Sequence, residues 1–219
     1  LFDACRNFLP DDAALSFDAN NGYTVSTAIQ QGRYMESQGL THFEEPLPQY
    51  DYLGLKQVVD ALRVPVSSGE NERSLYNFRD MITIGDPDIV QPDITQCGGI
   101  LETKKIAAAA DTYSIMVAPH NVGGIVSTMA ALHLTLSLRN GKILEHFNDF
   151  ADPGVKLAGS NYPEVVDGVC NAPTGPGWGV ELDEDYILAH PPEYVDGRVQ
   201  DPGLQMFEKE DWSKRGQDA

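Results

Sequence analysis

Six short apolar runs in this chain each carry a titratable side chain at the C-terminal end, and amphipathic stretches of helical length separate them. The runs are Ala13–Asp18, Thr41–Glu45, Val64–Glu70, Asp88–Asp93, Ser114–His120 and Lys142–His146. Successive titratable residues stand about 25 residues apart, which is enough chain for one strand and one crossover helix. The pattern therefore predicts buried parallel strands alternating with helices.

Five amphipathic stretches are expected to form the helices. They are Thr24–Gln38, Tyr50–Leu62, Ser74–Ile84, Leu101–Thr112 and Ile125–Leu138. Gly39, Gly85 and either Asn140 or Gly141 follow three of these stretches, as is typical of residues that end helices.

The position of the titratable residues separates two ways of arranging such a sheet. The strand ends carry Asp18, Glu44, Glu70, Asp93, His120 and Glu145. An open, doubly wound sheet would spread these groups along a crevice, whereas a ring of strands would bring them to one point. The sequence therefore predicts an α/β fold of the (β/α)8 TIM-barrel class.

Six strand–helix units are present where a barrel needs eight, so residues 1–150 are expected to form a partial barrel with its third to eighth strands. We expect the first two units and an N-terminal capping domain to be absent from this chain. Residues 151–219 are rich in Pro and Gly turn signals. We expect them to form a tail that packs on the barrel through short strands, with residues 179–182 as a candidate.

The charge and cysteine content exclude several classes of protein. The chain has 33 acidic and 15 basic residues and a formal charge of −18, which argues against a nucleic-acid partner because phosphate binding needs clustered Lys and Arg. No apolar run approaches the length of a membrane helix. The 3 cysteines are far apart with no CxxC pair, which indicates reduced thiols and a cytoplasmic protein.

Three acidic side chains are expected to form a metal site. Asp18, Glu44 and Glu70 end successive strands, and three carboxylates around one point would repel one another without a cation. Ligation by oxygen atoms alone, with few protein ligands, is what Mg²⁺ prefers. Asn20 lies two residues after Asp18 and is a candidate substrate-binding residue at the same point.

The next three strand ends predict acid–base chemistry. A carboxylate such as Asp93 beside His120 fixes the imidazole tautomer and favours its protonated form, which suits a general base near neutral pH. Glu145 would lie across the ring and could donate a proton if burial kept it neutral. A metal ion that binds a carboxylate substrate, with a histidine at its α-carbon, describes abstraction of the proton α to the carboxylate.

The motifs at the strand ends resemble those of the enolase superfamily, in particular its mandelate racemase subgroup. They are FDANNG, FEEP, SSGEN, QPDITQCGG, APHN and LEHF. The resemblance implies that Asp18, Glu44 and Glu70 bind Mg²⁺ and that His120 and Asp93 form the general base. It also implies that Glu145 binds the substrate together with His120.

The resemblance further implies a reaction and its alternatives. The leading expectation is dehydration of an acid sugar, an aldonate such as gluconate, galactonate, xylonate or arabinonate, to a 2-keto-3-deoxy acid, by a lyase that is a homo-oligomer at full length. Racemisation or epimerisation of a 2-hydroxy acid through the same enolate is the second. A non-catalytic barrel fragment is the third. The cycloisomerase-like and dipeptide-epimerase-like subgroups, which use a lysine base on the sixth strand, are disfavoured because Asp93 and Gln96 stand there.

Overall fold

The computed structural model describes residues 1–10, 12–145, 158–191, 193–195 and 198–200. The chain divides into two compact units, Leu1–His146 and Phe147–Ala219. In the first unit the helices are α1 Phe2–Phe8, α2 Val25–Ser37, α3 Tyr52–Ala61, α4 Ser74–Asp80, α5 Ile94–Cys97, α6 Ile100–Asp111 and α7 Ile125–Ser137, and the strands are β1 Leu15–Asp18, β2 Leu40–Glu44, β3 Val66–Ser68, β4 Ile89–Val90 and β5 Met116–Val117.

The described residues of the second unit form short antiparallel pairs and one helix. Its elements are β6 Gly159–Ser160, β7 Val165–Val166, β8 Val169–Cys170, β9 Glu181–Leu182, α8 Glu184–Ala189, β10 Glu193–Val195 and β11 Arg198–Gln200. Strand β6 pairs with β9, β7 with β8 and β10 with β11. The candidate strand at residues 179–182 is therefore present as β9. None of the helices in the described part of the chain has the length and apolar character needed to cross a bilayer.

The sheet of the first unit is wound in a single direction. All four strand pairings are parallel, and the strand order is β1-β2-β3-β4-β5. A doubly wound sheet reverses its strand order at a switch point, whereas a (β/α) barrel adds each new strand beside the last. The order therefore agrees with the predicted barrel class.

Helices α2 and α3 each begin at a residue whose side chain caps the first turn. The hydroxyl of Thr24 accepts a hydrogen bond from the backbone N–H of Thr27 at the start of α2, and Asp51 accepts one from Gly54 at the start of α3. Each bond satisfies a backbone donor that has no partner within the helix. Both helices thus start within two residues of the positions predicted from sequence.

The core lies between the sheet and the helices that cover one of its faces. Phe43, Val66, Val90 and Val117 are fully buried strand residues. They pack in one cluster with helical residues, among them Ala28, Val58, Phe78 and Ile106. Because side chains alternate along a strand, the neighbours of these apolar residues face the opposite side of the sheet, which leaves that side for the site.

Most strands are shorter than the predicted apolar runs, and the short helix α5 was not predicted. Two further parts of the first unit differ from the sequence-based expectation. The predicted strand Lys142–His146 is reduced to one parallel bridge between Gly141 and Val117, and His146 lies outside the described residues. The backbone at the start of this segment nevertheless lies beside β5, because Lys142 N–H donates to Val117 O at 2.8 Å. The predicted helix Ser74–Ile84 is α4 followed by a π-helical turn, Met81–Gly85.

Replacing Phe43 by alanine should lower the free energy of unfolding by about 3–5 kcal/mol, because the side chain is fully buried among Phe17, Tyr23 and the core aliphatics. The matched control is Phe8→Ala, since Phe8 is 88% exposed and its loss should change the value by about 0.5 kcal/mol or less. Urea denaturation followed by circular dichroism measures both. Equal effects of the two substitutions would contradict this description of the core.

Candidate active site

The register of the sheet places the first two predicted metal ligands side by side. Asp18 and Glu44 are paired residues at the ends of β1 and β2, so their side chains leave the same face of the sheet. Asp18 is exposed and Glu44 is buried. The backbone N–H of Asn20 donates to Asp18 Oδ1 at 2.7 Å, while the role of Asn20 in substrate binding stays a prediction.

The third predicted ligand, Glu70, follows β3 after a turn that needs glycine. Gly69 has a φ of +128°, and a Cβ atom there would lie 2.9 Å from the ring of Phe78. A side chain at this position would be strained by the backbone conformation and would also clash with the core. The turn carries Glu70 beyond the strand end, where its Oε2 lies 3.4 Å from His120 Nε2.

The predicted dyad of Asp93 and His120 is formed. His120 Nδ1 lies 2.8 Å from Asp93 Oδ2, and both side chains are largely buried. The other oxygen of Asp93 accepts hydrogen bonds from the N–H and the hydroxyl of Thr95, each at 2.6 Å, so Asp93 also caps the short helix α5. The imidazole is therefore held at Nδ1 and presents Nε2 to Glu70.

The neighbours of the dyad shift the pKa values of both partners. Burial acts to raise the pKa of Asp93, but the hydrogen bonds from His120 and Thr95 outweigh it and hold that pKa below its usual value. Burial acts to lower the pKa of His120, but the bond to Asp93 and the charges of Glu70 and Glu145 raise it to about 9. At neutral pH His120 Nε2 therefore carries a proton in this arrangement.

Glu145 lies beside His120 and Asn121. Its backbone N–H donates to Pro119 O, and its Oε2 accepts from the N–H of Asn121, both at 3.4 Å. Burial raises the pKa of Glu145, and the charge of His120 opposes that effect. A raised pKa is the property that a carboxyl group needs in order to donate a proton near neutral pH.

Charged groups that follow β5 act electrostatically on two residues of β2. Desolvation and the charge of Lys142, which follows the last strand position, lower the pKa of His42 on β2. Burial and the charge of Glu145 help to raise the pKa of Glu44, also on β2. Both effects act between β2 and the segment after β5, as expected of a sheet that curves toward a barrel.

Two buried groups of the site were not singled out as functional by the sequence. Gln91 follows β4, and its Nε2 donates to Glu44 Oε1 at 2.6 Å. Glu45 is fully buried with a φ of +38° and accepts hydrogen bonds from Asn21 and from Asn71. In the sequence, Gln91 is a glutamine after an apolar run and Glu45 is the second glutamate of FEEP.

The Glu45 side chain connects the loops that follow three strands. Asn21 follows β1 and Asn71 follows β3, and the amide of Asn71 also donates to Glu70 Oε1 at 3.1 Å. Burial and the charge of Glu70 raise the pKa of Glu45 to about 7, although the two amides act to lower it. Glu45 therefore helps to fix the loop that carries Glu70.

The chemistry of these side chains fits a hard divalent cation, although the described arrangement is not a finished coordination sphere. Among the residues that the structure describes, no three His, Cys, Asp or Glu side chains are arranged to ligate one ion. Burial, together with the charges of Glu145, Asp18 and Glu70, nevertheless raises the pKa of Glu44 to about 8. Crowded oxygen donors without a compensating cation are what an Mg²⁺ site presents before the ion binds.

The buried amide oxygens add to this fit. The side-chain oxygens of Asn21 and Gln91 are buried without a hydrogen-bond partner. Both amides bond through nitrogen to a glutamate of the acidic group. Polar atoms in such a position suit a site that receives a hydrated ion or a polyhydroxylated ligand.

The sequence and the fold both match known proteins. The profile of the enolase C-terminal domain-like family matches residues 1–186. An arabinonate dehydratase of Saccharolobus solfataricus is 33% identical over 182 residues, which are 82% of this chain and 48% of that protein. A D-galactarolactone cycloisomerase of Agrobacterium fabrum is 31% identical over 191 residues, which are 84% of this chain and 50% of that protein.

A solved structure described as a mandelate racemase/muconate lactonizing enzyme from Sulfitobacter sp. has a TM-score of 0.81 and 32% identity, over 90% of this chain and 49% of that chain. The chain thus spans about half the length of the relatives it matches. These structural neighbours are (β/α)8-barrel enzymes, and the predicted fold class is confirmed.

Without divalent cations, the free energy of unfolding should fall as the pH rises from about 4.5 to about 8. Glu44 and Glu45 have folded-state pKa values of about 8 and about 7, so the folded chain keeps protons that the unfolded chain has already released. Urea denaturation in a chelator at several pH values measures the slope. Glu44→Gln should flatten it, whereas Glu181→Gln, at an exposed position, should not. Stability that rises over this range would contradict the assignment.

Proposed function

Because the chain belongs to the enolase C-terminal domain-like family, we propose that it supplies the catalytic barrel residues of an Mg²⁺-dependent acid-sugar dehydratase. The observation that carries the proposal is the contact of His120 with Asp93 on one nitrogen and Glu70 on the other. This contact places an acid–base group, His120, beside a predicted metal ligand, Glu70. A carboxylate substrate bound at such a junction would have its α-carbon beside the imidazole.

The proton transfers are assigned to His120 Nε2. In its neutral form this nitrogen takes the proton from the α-carbon, and the bonding electrons move into the carboxylate to give an enediolate. Expulsion of the β-hydroxyl follows, and the proton on Nε2 is returned to that leaving group, which departs as water. The remaining enol tautomerises to a 2-keto-3-deoxy acid, so the net change is loss of one water.

The other residues of the site orient the imidazole of His120 and stabilise the charge that develops on the substrate. Asp93 keeps the proton of Nδ1 in place, so that Nε2 is the nitrogen that reacts. Glu145, with its raised pKa, can donate a hydrogen bond to the substrate carboxylate. Bound by Asp18, Glu44 and Glu70, Mg²⁺ would offset the negative charge that develops on the substrate and lessen the influence of Glu70 on His120.

The substrate class follows from the relatives, whose names include arabinonate, D-xylonate, D-galactonate and L-rhamnonate dehydratases. All of these substrates are aldonates, with a carboxylate, an α-hydroxyl and a β-hydroxyl. The buried amide oxygens of Asn21 and Gln91 suit a ligand rich in hydroxyl groups. We therefore propose an aldonate as the substrate of this chain.

A second candidate is isomerisation without loss of water. The D-galactarolactone cycloisomerase of Agrobacterium fabrum is as similar to this chain as the dehydratases are. Racemisation of a 2-hydroxy acid belongs to the same group, since both begin with removal of a proton α to a carbonyl carbon. Isomerisation keeps the substrate mass, whereas dehydration removes one water.

Incubation of the protein with Mg²⁺ and a panel of aldonates and their lactones should yield a keto acid lighter by one water, detected by mass spectrometry and by a carbonyl-reactive dye. The same incubation in D₂O tests the alternatives. An isomer or recovered substrate that gains deuterium without keto acid would overturn dehydration in favour of isomerisation or racemisation.

His120→Asn and Glu70→Gln should each reduce turnover by about 10²–10⁴-fold while leaving the far-ultraviolet circular dichroism unchanged, because one removes the proton carrier and the other a charge of the metal site. His190→Asn is the matched control, since His190 lies in the second unit on an exposed helix end. Turnover retained in both site variants would remove the proposed mechanism.

A further inference from the structure

The amide of Gln91 is fixed against one oxygen of Glu44. Gln91 is 2% exposed, and its Nε2 donates to Glu44 Oε1 at 2.6 Å. Its backbone N–H donates to Ser68 O at 3.0 Å, so the residue is anchored to β3 at the point where β4 ends. The amide therefore approaches Glu44 from a rigid part of the sheet.

This glutamine carries a cost that an apolar residue would not. Its Oε1 is buried and has no hydrogen-bond partner, and a buried polar atom without a partner destabilises the folded chain. A methionine of similar length would fill the same volume without an unpartnered oxygen, but it would leave Glu44 Oε1 without the amide donor. The amide at this position therefore acts on Glu44, and through Glu44 on the site.

We propose that Gln91 is a positioning residue that takes up one oxygen of Glu44 and leaves only Oε2 for a cation, so that the site favours Mg²⁺ over Ca²⁺. This inference rests on the proposed function, which places a divalent cation at Glu44. It concerns the selectivity of the site among divalent cations, which the proposed function does not address.

The preference follows from the coordination habits of the two ions. Mg²⁺ takes a single oxygen from each carboxylate in a compact octahedron, whereas Ca²⁺ is larger, accepts more ligands and is often held by both oxygens of one carboxylate. A Glu44 whose Oε1 is engaged by Gln91 serves the first ion better than the second. Release of Oε1 should let Glu44 chelate the larger ion.

The test is calorimetric titration of the metal-free full chain with MgCl₂ and, separately, with CaCl₂. The variants are Gln91→Met, which keeps the length and removes the amide, and Gln91→Asn, which keeps the amide but withdraws it from Glu44. The control is Gln57→Met, because Gln57 is an exposed glutamine whose amide donates to its own helix at Leu53 O.

We expect the wild-type chain and Gln57→Met to bind Mg²⁺ more tightly than Ca²⁺. In both Gln91 variants the ratio of the two affinities should shift toward Ca²⁺ by about 10-fold or more, the scale on which groups that orient metal ligands act. A purely structural role would lower the unfolding temperature of Gln91→Met in a chelator and leave the affinity ratio unchanged.

Three outcomes would overturn the inference. A wild-type chain that binds no Mg²⁺ would remove both the proposed metal site and the role of Gln91. A wild-type chain that binds Mg²⁺, with the same affinity ratio in the Gln91 variants, would remove the role of Gln91 alone. Loss of the fold in both variants, seen by circular dichroism, would show that Gln91 is structural.

Discussion

Crowding of negative charge at one edge of a parallel sheet is the constraint on which this site depends. Parallel strands in register bring Asp18 beside Glu44, and the following turns add Glu45, Glu70 and Asp93 within electrostatic reach. Water is largely excluded from several of these carboxyl groups, so their repulsion is weakly screened. The protein must supply positive charge, hold protons or bind a cation there.

The raised pKa values of the site correspond to two of these responses. His120 stays protonated up to a pKa of about 9 because acidic groups surround it. Glu44 and Glu45 keep their protons to about pH 8 and about pH 7. The proposed Mg²⁺ is the third response, and it would replace protons that a catalytic site at neutral pH needs to release.

Backbone strain and buried amides hold the acidic groups in place. Asn20, Asn21 and Glu45 all have positive φ values, an arrangement that costs free energy and recurs at functional sites. The amides of Asn21 and Asn71 both donate to the buried carboxylate of Glu45. The loops after three strands thus share one hydrogen-bonded centre, and its stability cost is offset by the apolar core on the other face of the sheet.

The sequence was enough to predict the repeating units, the order of the strand ends and the pairing of His120 with Asp93. These features follow from local periodicity and from which residue ends each apolar run, both of which can be read along the chain. The predicted extent of the sixth strand was wrong. Within its described residues, the segment beside β5 forms one parallel bridge, between Gly141 and Val117, and no continuous strand.

The contact of Gln91 with Glu44 could not be predicted for a different reason. Gln91 meets Glu44 across 47 positions of sequence, and that meeting depends on the register and curvature of the sheet. Packing decides whether a buried amide turns its nitrogen toward a carboxylate, and the periodicity of one sequence does not predict such packing.

The most direct test of this account is a crystal of the protein soaked in Mn²⁺, a close substitute for Mg²⁺ at oxygen sites that gives an anomalous X-ray signal. We expect one strong anomalous peak bounded by the carboxylates of Asp18, Glu44 and Glu70, with the imidazole of His120 close by and outside the ligand sphere. A peak elsewhere, or no peak while the three carboxylates stay apart, would contradict the claim that this sheet edge is a metal-assisted catalytic site.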